Sequence, residues 1–146
     1  MKTIPRNQQG VILLEAMIGI LIFSIGILAL VAMQAISISN VSNARYRTEA
    51  AFLANEIIGE AWIDRGVGYA NLGNYAVASG SATYPNTVTW VNKVNAALPG
   101  SVANPPDIAI VTPASGGRQI TVTVRWRAPD AVSVSNHVAV AIISDP

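Results

Sequence analysis

The hydrophobic and polar positions divide the chain into an apolar first segment, an amphipathic second segment and a final segment of alternating pattern. Nearly every side chain in 11–33 is apolar, and about 20 such residues let a helix cross the hydrocarbon core of a bilayer. Between Arg6 and Arg45 the only formally charged side chain is Glu15. The run is longer than the core of a cleaved secretory signal and lacks an Ala-x-Ala site. The pattern therefore predicts a retained transmembrane helix at about 11–33.

The helical pattern continues beyond this span while one side of the helix becomes polar. Apolar residues recur at spacings of three, four and seven, which is typical of an amphipathic helix. These positions are Ala50, Ala51, Ala54, Ile57, Ile58, Ala61 and Trp62. No proline occurs between Pro5 and Pro85, so we predict one unbroken helix over 11–63. Its second apolar stripe must rest on the remainder of the chain.

A loop and a short helix are predicted next. The stretch 66–85 contains glycines that interrupt every periodicity. Its tyrosines could either contact a neighbouring molecule or pack onto the head; they are Tyr69, Tyr75 and Tyr84. A short helix follows and stops at Pro99-Gly100. Its apolar face comprises Trp90, Val91, Val94, Ala97 and Leu98.

The last forty residues predict β-strands. Residues 108–112 form a short β-prone run, and 114–117 offer turn residues. Apolar and polar residues then alternate over 120–127, which indicates one buried and one wet face. A last strand contains Val138, Val140 and Ile142. The predicted fold class is α+β, with three or four antiparallel strands whose apolar face packs on the long helix.

The composition of the chain excludes several classes of partner and of chemistry. The 146 residues are 51% hydrophobic and 12% charged, about half the usual charged share of roughly 25%. Nine basic and eight acidic residues give a net charge of +1, so neither nucleic acid nor an anionic lipid patch is an expected partner. The chain has no cysteine, which removes disulfides and thiolate chemistry.

No catalytic, metal or cofactor site is predicted. His137 is the only histidine and is read as a surface or turn residue. Gly116-Gly117-Arg118 joins two strands and is read as a hairpin turn rather than a phosphate cradle. The three tryptophans could bind sugar, but core packing is preferred for each; they are Trp62, Trp90 and Trp126. The chain is therefore expected not to be an enzyme.

The start of the chain resembles a known processing signal. Gly10 followed by Val11-Ile12-Leu13-Leu14-Glu15 is similar to the type IV prepilin signature. The resemblance implies that prepilin peptidase cuts after Gly10 and that Val11 becomes the N-methylated first residue. Val11 stands where the family more often has an aromatic residue. The predicted leader, residues 1–10, carries Lys2 and Arg6 without any acid, which favours the cytoplasmic side.

A lone carboxylate in this position needs an explanation. At mid-depth in a bilayer it costs about 2.5 kcal/mol or more, and less near the interface. Cleavage after Gly10 would create an α-amine on Val11, one helical turn from Glu15. We therefore predict that Glu15 pairs with an amino terminus, in its own subunit or in a neighbour during assembly. The alternative is that Glu15 simply marks the interface at the helix start.

Further stretches resemble minor pilins of the PilV type. These are Ser24 to Leu28, Gln34, Arg47 to Ile57 and, more loosely, the Trp90 to Gly100 segment. The resemblance implies a leader (1–10), a long helix (11–63) and a head (64–146). It also implies a structural role in pilus assembly, with other major and minor pilins and inner-membrane lipid as partners. The subunit would span the bacterial inner membrane once, head in the periplasm, and then enter the fibre at the cell surface.

Two other functions fit the same patterns. A minor pseudopilin of a type II secretion system shares the leader and Glu15 features. A signal-anchored periplasmic domain with a binding or enzymatic role would make Gly10 irrelevant. The amino terminus of the mature chain separates this last function from the pilin interpretation.

Overall fold

A computed structural model describes residues 9–114, 116–129 and 131–144. In chain order its elements are helix α1 (Gln9–Ile63), helix α2 (Pro85–Ala97) and strands β1 (Asp107–Val111), β2 (Arg118–Trp126) and β3 (Ser135–Ile143). Two short 3₁₀ turns, Val67–Tyr69 and Leu72–Tyr75, lie between the helices. A long apolar N-terminal helix followed by a three-stranded antiparallel sheet confirms the predicted α+β class.

Helix α1 is uninterrupted, because the sequence has no proline between Pro5 and Pro85 to remove a backbone donor. It comprises 55 residues. The chain forms two compact units, Met1–Asn40 and Val41–Pro146. The boundary between them lies within α1, so this helix contributes to both.

The second half of α1 buries one face in the second unit. Its buried residues are at most 3% exposed: Ala50, Leu53, Ala54, Ile57 and Ala61. Their spacing of three and four residues matches the predicted stripe, to which the structure adds Leu53. The prediction was wrong for Trp62, which is 41% exposed. One residue beyond Ala61 turns the side chain by about 100° around the helix axis, away from the core.

The segment between the helices is more ordered than its glycine content predicts. Leu72 and Tyr75, in the second 3₁₀ turn, are fully buried. Val77 then forms an isolated antiparallel bridge with Ile108 of β1. Gly80 has a φ of +72°, and its amide donates to the carbonyl of Pro106 at 2.9 Å. Buried apolar side chains therefore hold the loop onto the head, with glycine where the chain must turn through left-handed backbone.

Helix α2 begins with Pro85 in its first turn, where proline costs no hydrogen bond. The buried side chains on its inner face are Thr87, Trp90, Val91 and Val94. Trp90 Nε1 donates to the carbonyl of Leu53 in α1 at 2.8 Å. This bond satisfies the polar atom of a nearly buried indole and fixes the position of α2 against α1. The short helix predicted from the Trp90 face is confirmed.

The sheet has β2 at its centre, in the order β1-β2-β3. β2 and β3 pair over nine consecutive positions without a bulge, from Arg118 opposite Ile143 to Trp126 opposite Ser135. The predicted alternation in β2 is confirmed, since its inward residues are at most 1% exposed: Ile120, Val122, Val124 and Trp126. Gly117, in the turn before β2, has a φ of +78°, and a Cβ there would lie 2.9 Å from the carbonyl oxygen of Ile143. Glycine is therefore needed for this turn to pass close to β3.

The third strand is confirmed, but its larger apolar side chains lie on the outer face of the sheet. Val138, Val140 and Ile142 are 49%, 57% and 52% exposed. The register explains this, because Val138 and Val140 lie opposite Thr123 and Thr121, which belong to the wet face of β2. On the other face, Ala139 and Ala141 pack against the core and Ile143 is buried.

The core of the second unit lies between the buried face of α1, the inner face of α2 and the inner face of the sheet. Its largest fully buried side chains are Trp90, Trp126, Tyr75, Ile57, Leu72 and Leu98. Core packing is therefore confirmed for two of the three tryptophans. Tyr75 is buried in the same core, and Tyr69 and Tyr84 are partly buried against it. Of the two interpretations of these tyrosines, the structure therefore favours packing onto the head.

Candidate functional site on the N-terminal helix

The first part of α1 has an apolar surface that the described chain leaves open. Every large apolar side chain from Val11 to Val41 is between 45% and 69% exposed. Monomeric soluble proteins rarely expose contiguous apolar patches larger than a few hundred Å². By length and composition this helix can cross a membrane. The surface is therefore suited to a hydrocarbon solvent or to other apolar helices.

One polar side chain within the apolar stretch, that of Ser24, is satisfied locally. The hydroxyl of Ser24 donates to the carbonyl of Ile20 at 2.7 Å. A hydroxyl bonded back to its own helix needs no partner from water, as an apolar surrounding requires. Gly19 and Gly26 each have open space where a Cβ would be. Another helix can approach the α1 backbone closely at these two positions.

Val11 and Glu15 lie on the same face of α1. Together with Leu14 and Ile18 they line a shallow groove of about 300 Å³. The i, i+4 spacing places the backbone of Val11 one turn before the Glu15 carboxylate. Among the described residues no basic side chain precedes Arg45. Among the described residues before Arg45, the Glu15 carboxylate therefore has no cationic side chain as a partner. The other side chains that line its groove are apolar.

Gly10, the predicted last leader residue, is the second residue of α1. The helix thus begins two residues earlier than predicted and includes the Gly10-Val11 bond. The rest of the predicted leader, residues 1–8, lies outside the described part of the chain.

A second cluster, not anticipated from the sequence, surrounds Asp64 just after the end of α1. Its Oδ2 accepts from the hydroxyl of Tyr84 at 2.6 Å and from that of Tyr75 at 3.0 Å. Its Oδ1 accepts from Nδ2 of Asn71 at 3.4 Å. The Tyr75 hydroxyl also accepts from Nδ2 of Asn86 at 2.8 Å. The cluster therefore joins the end of α1 to the loop and to the start of α2.

The electrostatics of this cluster indicate a structural role. The Tyr84 hydroxyl, followed by that of Tyr75, lowers the pKa of Asp64 below its ordinary value despite opposing desolvation. Burial is the main reason that the pKa of Tyr75 rises to about 12. The hydrogen bond to Asp64 raises the pKa of Tyr84 as well. An ionised acid held between two protonated phenols stabilises a loop and offers neither a base nor a nucleophile near neutral pH.

Asp107 in β1 is the centre of a third polar contact. Its Oδ1 accepts from the amide of Ser79 at 2.6 Å, and its Oδ2 lies 2.6 Å from Nη1 of Arg125 in β2. Desolvation favours the neutral acid, but the Ser79 amide and the Arg125 guanidinium outweigh it and lower the pKa of Asp107. Arg125 also donates to the carbonyl of Pro105 at 2.7 Å. These bonds hold the loop against the edge of β1.

Two open grooves flank α1 and α2 in the second unit. The larger, about 560 Å³, is lined by Arg45, Tyr46, Glu49 and residues 95–102. The smaller, about 400 Å³, is lined by Phe52, Leu53, Ala96 and Ala97 with flanking charged groups. The Ser101 hydroxyl in the larger groove donates to the carbonyls of Leu98 at 2.8 Å and Val94 at 3.4 Å rather than to a base, so it is not activated as a nucleophile.

The remaining candidates of the sequence lie apart from one another. His137 is a half-buried residue of β3 opposite Val124, rather than a turn residue. Gly116 and Gly117 lie between β1 and β2, where a hairpin turn was predicted. Within the described ranges no three His, Asp or Glu side chains gather as metal ligands. The site that the structure supports best is thus the exposed helix surface with Glu15.

The fold and this surface define an α+β head that follows an apolar helix able to span a membrane. No protein-family model, curated protein or solved structure matches this chain.

Proposed function

We propose that this chain is a structural subunit of type IV pili, a minor pilin most like the PilV type, which takes part in pilus assembly. The observation that carries the proposal is the exposed apolar surface of α1 with a single acid, Glu15, on the face of Val11. Inner-membrane lipid covers this surface before assembly. The helices of other major and minor pilins cover it afterwards.

Maturation supplies the partner that Glu15 lacks. Prepilin peptidase cuts the bond between Gly10 and Val11, and the new amino terminus of Val11 is methylated. The resulting ammonium lies one helical turn from the Glu15 carboxylate, or is met by the Glu15 of a neighbouring subunit. In an apolar surrounding such a pair is far less costly than the isolated carboxylate.

The head has a different part in this function. Residues 64–146 stay in the periplasm while α1 is in the inner membrane, and reach the cell surface with the fibre. The Asp64 cluster and the Trp90 bond to Leu53 fix the head to the second half of α1. A subunit extracted by its helix therefore carries its head with it.

The amino terminus of the mature chain tests this proposal directly. Intact-mass spectrometry of the membrane-bound protein is expected to show a chain that begins at Val11 and carries one added methyl group. A Gly10→Leu variant should keep its leader and yet still enter the membrane. A chain that begins at Met1, or one cut beyond Met33, would exclude the pilin interpretation and favour a signal-anchored domain.

A second test addresses Glu15. Glu15→Ala subunits are expected to be processed and membrane-bound but strongly depleted from sheared fibres, whereas Glu15→Asp should be incorporated in part. Glu49→Ala, a half-buried acid in the second half of α1, is the matched control. Normal incorporation of Glu15→Ala would contradict the charge-pairing role.

Gene deletion distinguishes the pilus from a secretion pseudopilus. We expect loss of pili and twitching with normal exoprotein secretion. The reverse result would identify the chain as a minor pseudopilin of a type II secretion system.

A further inference from the structure

The larger of the two grooves that flank α1 and α2 has polar groups without partners in the described chain. It has a volume of about 560 Å³ and is lined from α1 by Arg45, Tyr46 and Glu49. Among the described residues, neither Arg45 nor Glu49 has an ion-pair partner. The Oδ1 atom of Asn95, on the α2 side of the groove, is buried and accepts no hydrogen bond from a described residue. A buried acceptor without a donor needs an explanation, and a ligand in the groove would supply one.

These groups are complementary to a ligand that carries both charges. A guanidinium such as that of Arg45 binds a phosphate through two parallel N–H···O bonds. The carboxylate of Glu49 and the amide oxygen of Asn95 accept hydrogen bonds, so they suit an ammonium with its N–H donors. Arg45 and Glu49 are one helical turn apart and share a face of α1. A phosphate and an ammonium joined by two carbons, as in phosphoethanolamine, fit this arrangement.

The position of the groove in the chain indicates the source of such a ligand. Arg45 is the first charged side chain after Glu15, and the apolar stretch of α1 lies between them. Arg and Tyr side chains are typical of the region where a membrane helix meets the lipid head groups. The groove also has an apolar rim, because Val102 is 76% exposed. A phospholipid of the adjoining leaflet would supply both the head group and the apolar contact.

We propose that this groove binds the head group of a phosphoethanolamine phospholipid, with Arg45 on the phosphate and with Glu49 and Asn95 on the ammonium. The zero net charge of this head group agrees with the chain's net charge of only +1. The inference depends on the membrane anchor of the proposed function, but not on pilus assembly. A lipid is left behind when a subunit leaves the bilayer, so loss of this site is not expected to change incorporation into fibres.

Lipid retention in native mass spectrometry tests the site. Full-length protein in detergent is mixed with equal amounts of phosphatidylethanolamine and phosphatidylcholine, whose quaternary ammonium has no N–H donor. The wild-type chain is expected to retain phosphatidylethanolamine roughly tenfold more strongly, because only this lipid can donate to Glu49 and Asn95. Equal retention of the two lipids would overturn the proposal.

Variants of the groove separate the two ends of the ligand. Arg45→Ala is expected to retain both lipids roughly tenfold less, because the phosphate loses its guanidinium. Arg47→Ala is the matched control, since Arg47 is also an exposed residue of α1 but does not line the groove. An unaltered urea midpoint for Arg45→Ala shows that the head is intact. Equal lipid retention by the two arginine variants would contradict the site.

The preference between the lipids tests the ammonium end. Glu49→Gln and Asn95→Ala are expected to keep binding both lipids through Arg45 but to lose most of the preference for phosphatidylethanolamine. A general distortion of the groove would instead lower the retention of both lipids together. A preference unchanged in both variants would overturn the assignment of these residues.

A soluble compound distinguishes a lipid site from a site for a free metabolite. Glycerophosphoethanolamine has the same head group without acyl chains. It is expected to displace the lipid only when present in large excess, because it lacks the apolar contact at Val102. Displacement at equal concentration would assign the groove to a soluble phosphoethanolamine and would overturn the lipid proposal.

Discussion

At the scale of single residues, polar atoms of the loop carry much of the specificity of the head. Tyr75 is fully buried, and its hydroxyl both donates to Asp64 and accepts from Asn86. Neither partner is close in sequence to Tyr75, so no local pattern indicates the contact. The left-handed glycines Gly80 and Gly117 are equally difficult to predict. Glycine is required at each because a segment distant in sequence approaches the turn.

Removal of one hydroxyl tests the Asp64 cluster. We expect Tyr75→Phe to lower the free energy of unfolding by about 1–2 kcal/mol, since Asp64 and Asn86 each lose a partner. Tyr46→Phe is the control, because Tyr46 packs against the same core but its hydroxyl has no partner among the described residues. Urea unfolding in detergent, followed by tryptophan fluorescence, measures both. Equal effects of the two variants would show that the cluster adds nothing.

Gly80 tests a backbone requirement. Its φ is +72°, and an added Cβ would lie 2.7 Å from Cβ of Pro105. Gly80→Ala is therefore expected to destabilise the head by about 1–3 kcal/mol. Gly73→Ala, where the structure shows open space and no left-handed φ, should change stability by less than about 0.5 kcal/mol. The comparison fails if both variants unfold at the same urea concentration.

At the scale of elements, α1 performs two tasks with one continuous backbone. Its first part exposes apolar side chains all around, while its second part buries a single stripe. The difference lies in the side chains alone, because no break in the helix separates the parts. Two isoleucines in the second part, one buried and one exposed, allow the contribution of the buried stripe to stability to be tested within one helix.

Ile57 and Ile63 have the same side chain in opposite environments. Ile57 is fully buried, whereas Ile63 is 86% exposed. Ile57→Ala is expected to cost about 2–5 kcal/mol, because it removes buried methyl groups and leaves a cavity. Ile63→Ala should stay within about 0.5 kcal/mol. A cost below about 1 kcal/mol for Ile57→Ala, measured by urea unfolding, would contradict the packing of α1 on the head.

At the scale of the whole molecule, ionisable groups set the pH range of stability. The folded pKa values of Asp64 and Asp107 lie below 3.8. Their contribution is therefore complete above that pH and is lost as the pH falls through the lowered values. The pKa values of Tyr75, to about 12, and of Tyr84 are raised from 10.0. Their contribution is complete below pH 10.0 and is lost as the pH rises towards 12.

These directions predict a plateau of unfolding free energy that is bounded on both sides. The raised pKa of Lys93, hydrogen-bonded to Glu56, adds to the loss at high pH. Thermal unfolding in detergent across the pH range measures the plateau. Tyr75→Phe should weaken the alkaline decline and leave the acid decline in place. An alkaline decline unchanged by this variant would show that Tyr75 does not contribute to it.

Local and periodic features were predictable from the sequence. The length of α1 followed from the absence of proline, and the stripe at Ala50, Ala54, Ile57 and Ala61 from helical spacing. β1 followed from a short β-prone run, and β2 from the alternation of apolar and polar residues. The Val11 and Glu15 pair of the candidate site also followed from spacing, because residues four apart share a helix face. The processing of Gly10 stays a prediction that the amino terminus of the mature chain tests, and the role of Glu15 stays one that the incorporation of Glu15→Ala subunits tests.

Long-range features were not predictable. The sequence by itself determined an apolar helix, an amphipathic continuation and alternating strands, since each depends on neighbours within a few residues. Only the tertiary structure decided that Trp62 is exposed, that Asp64 collects two tyrosines, and that Val138, Val140 and Ile142 face outward. The physical reason is that alternation fixes two faces of a strand but not which face meets the core. That choice depends on the register of β3 with β2 and on which face of the sheet packs against the helices.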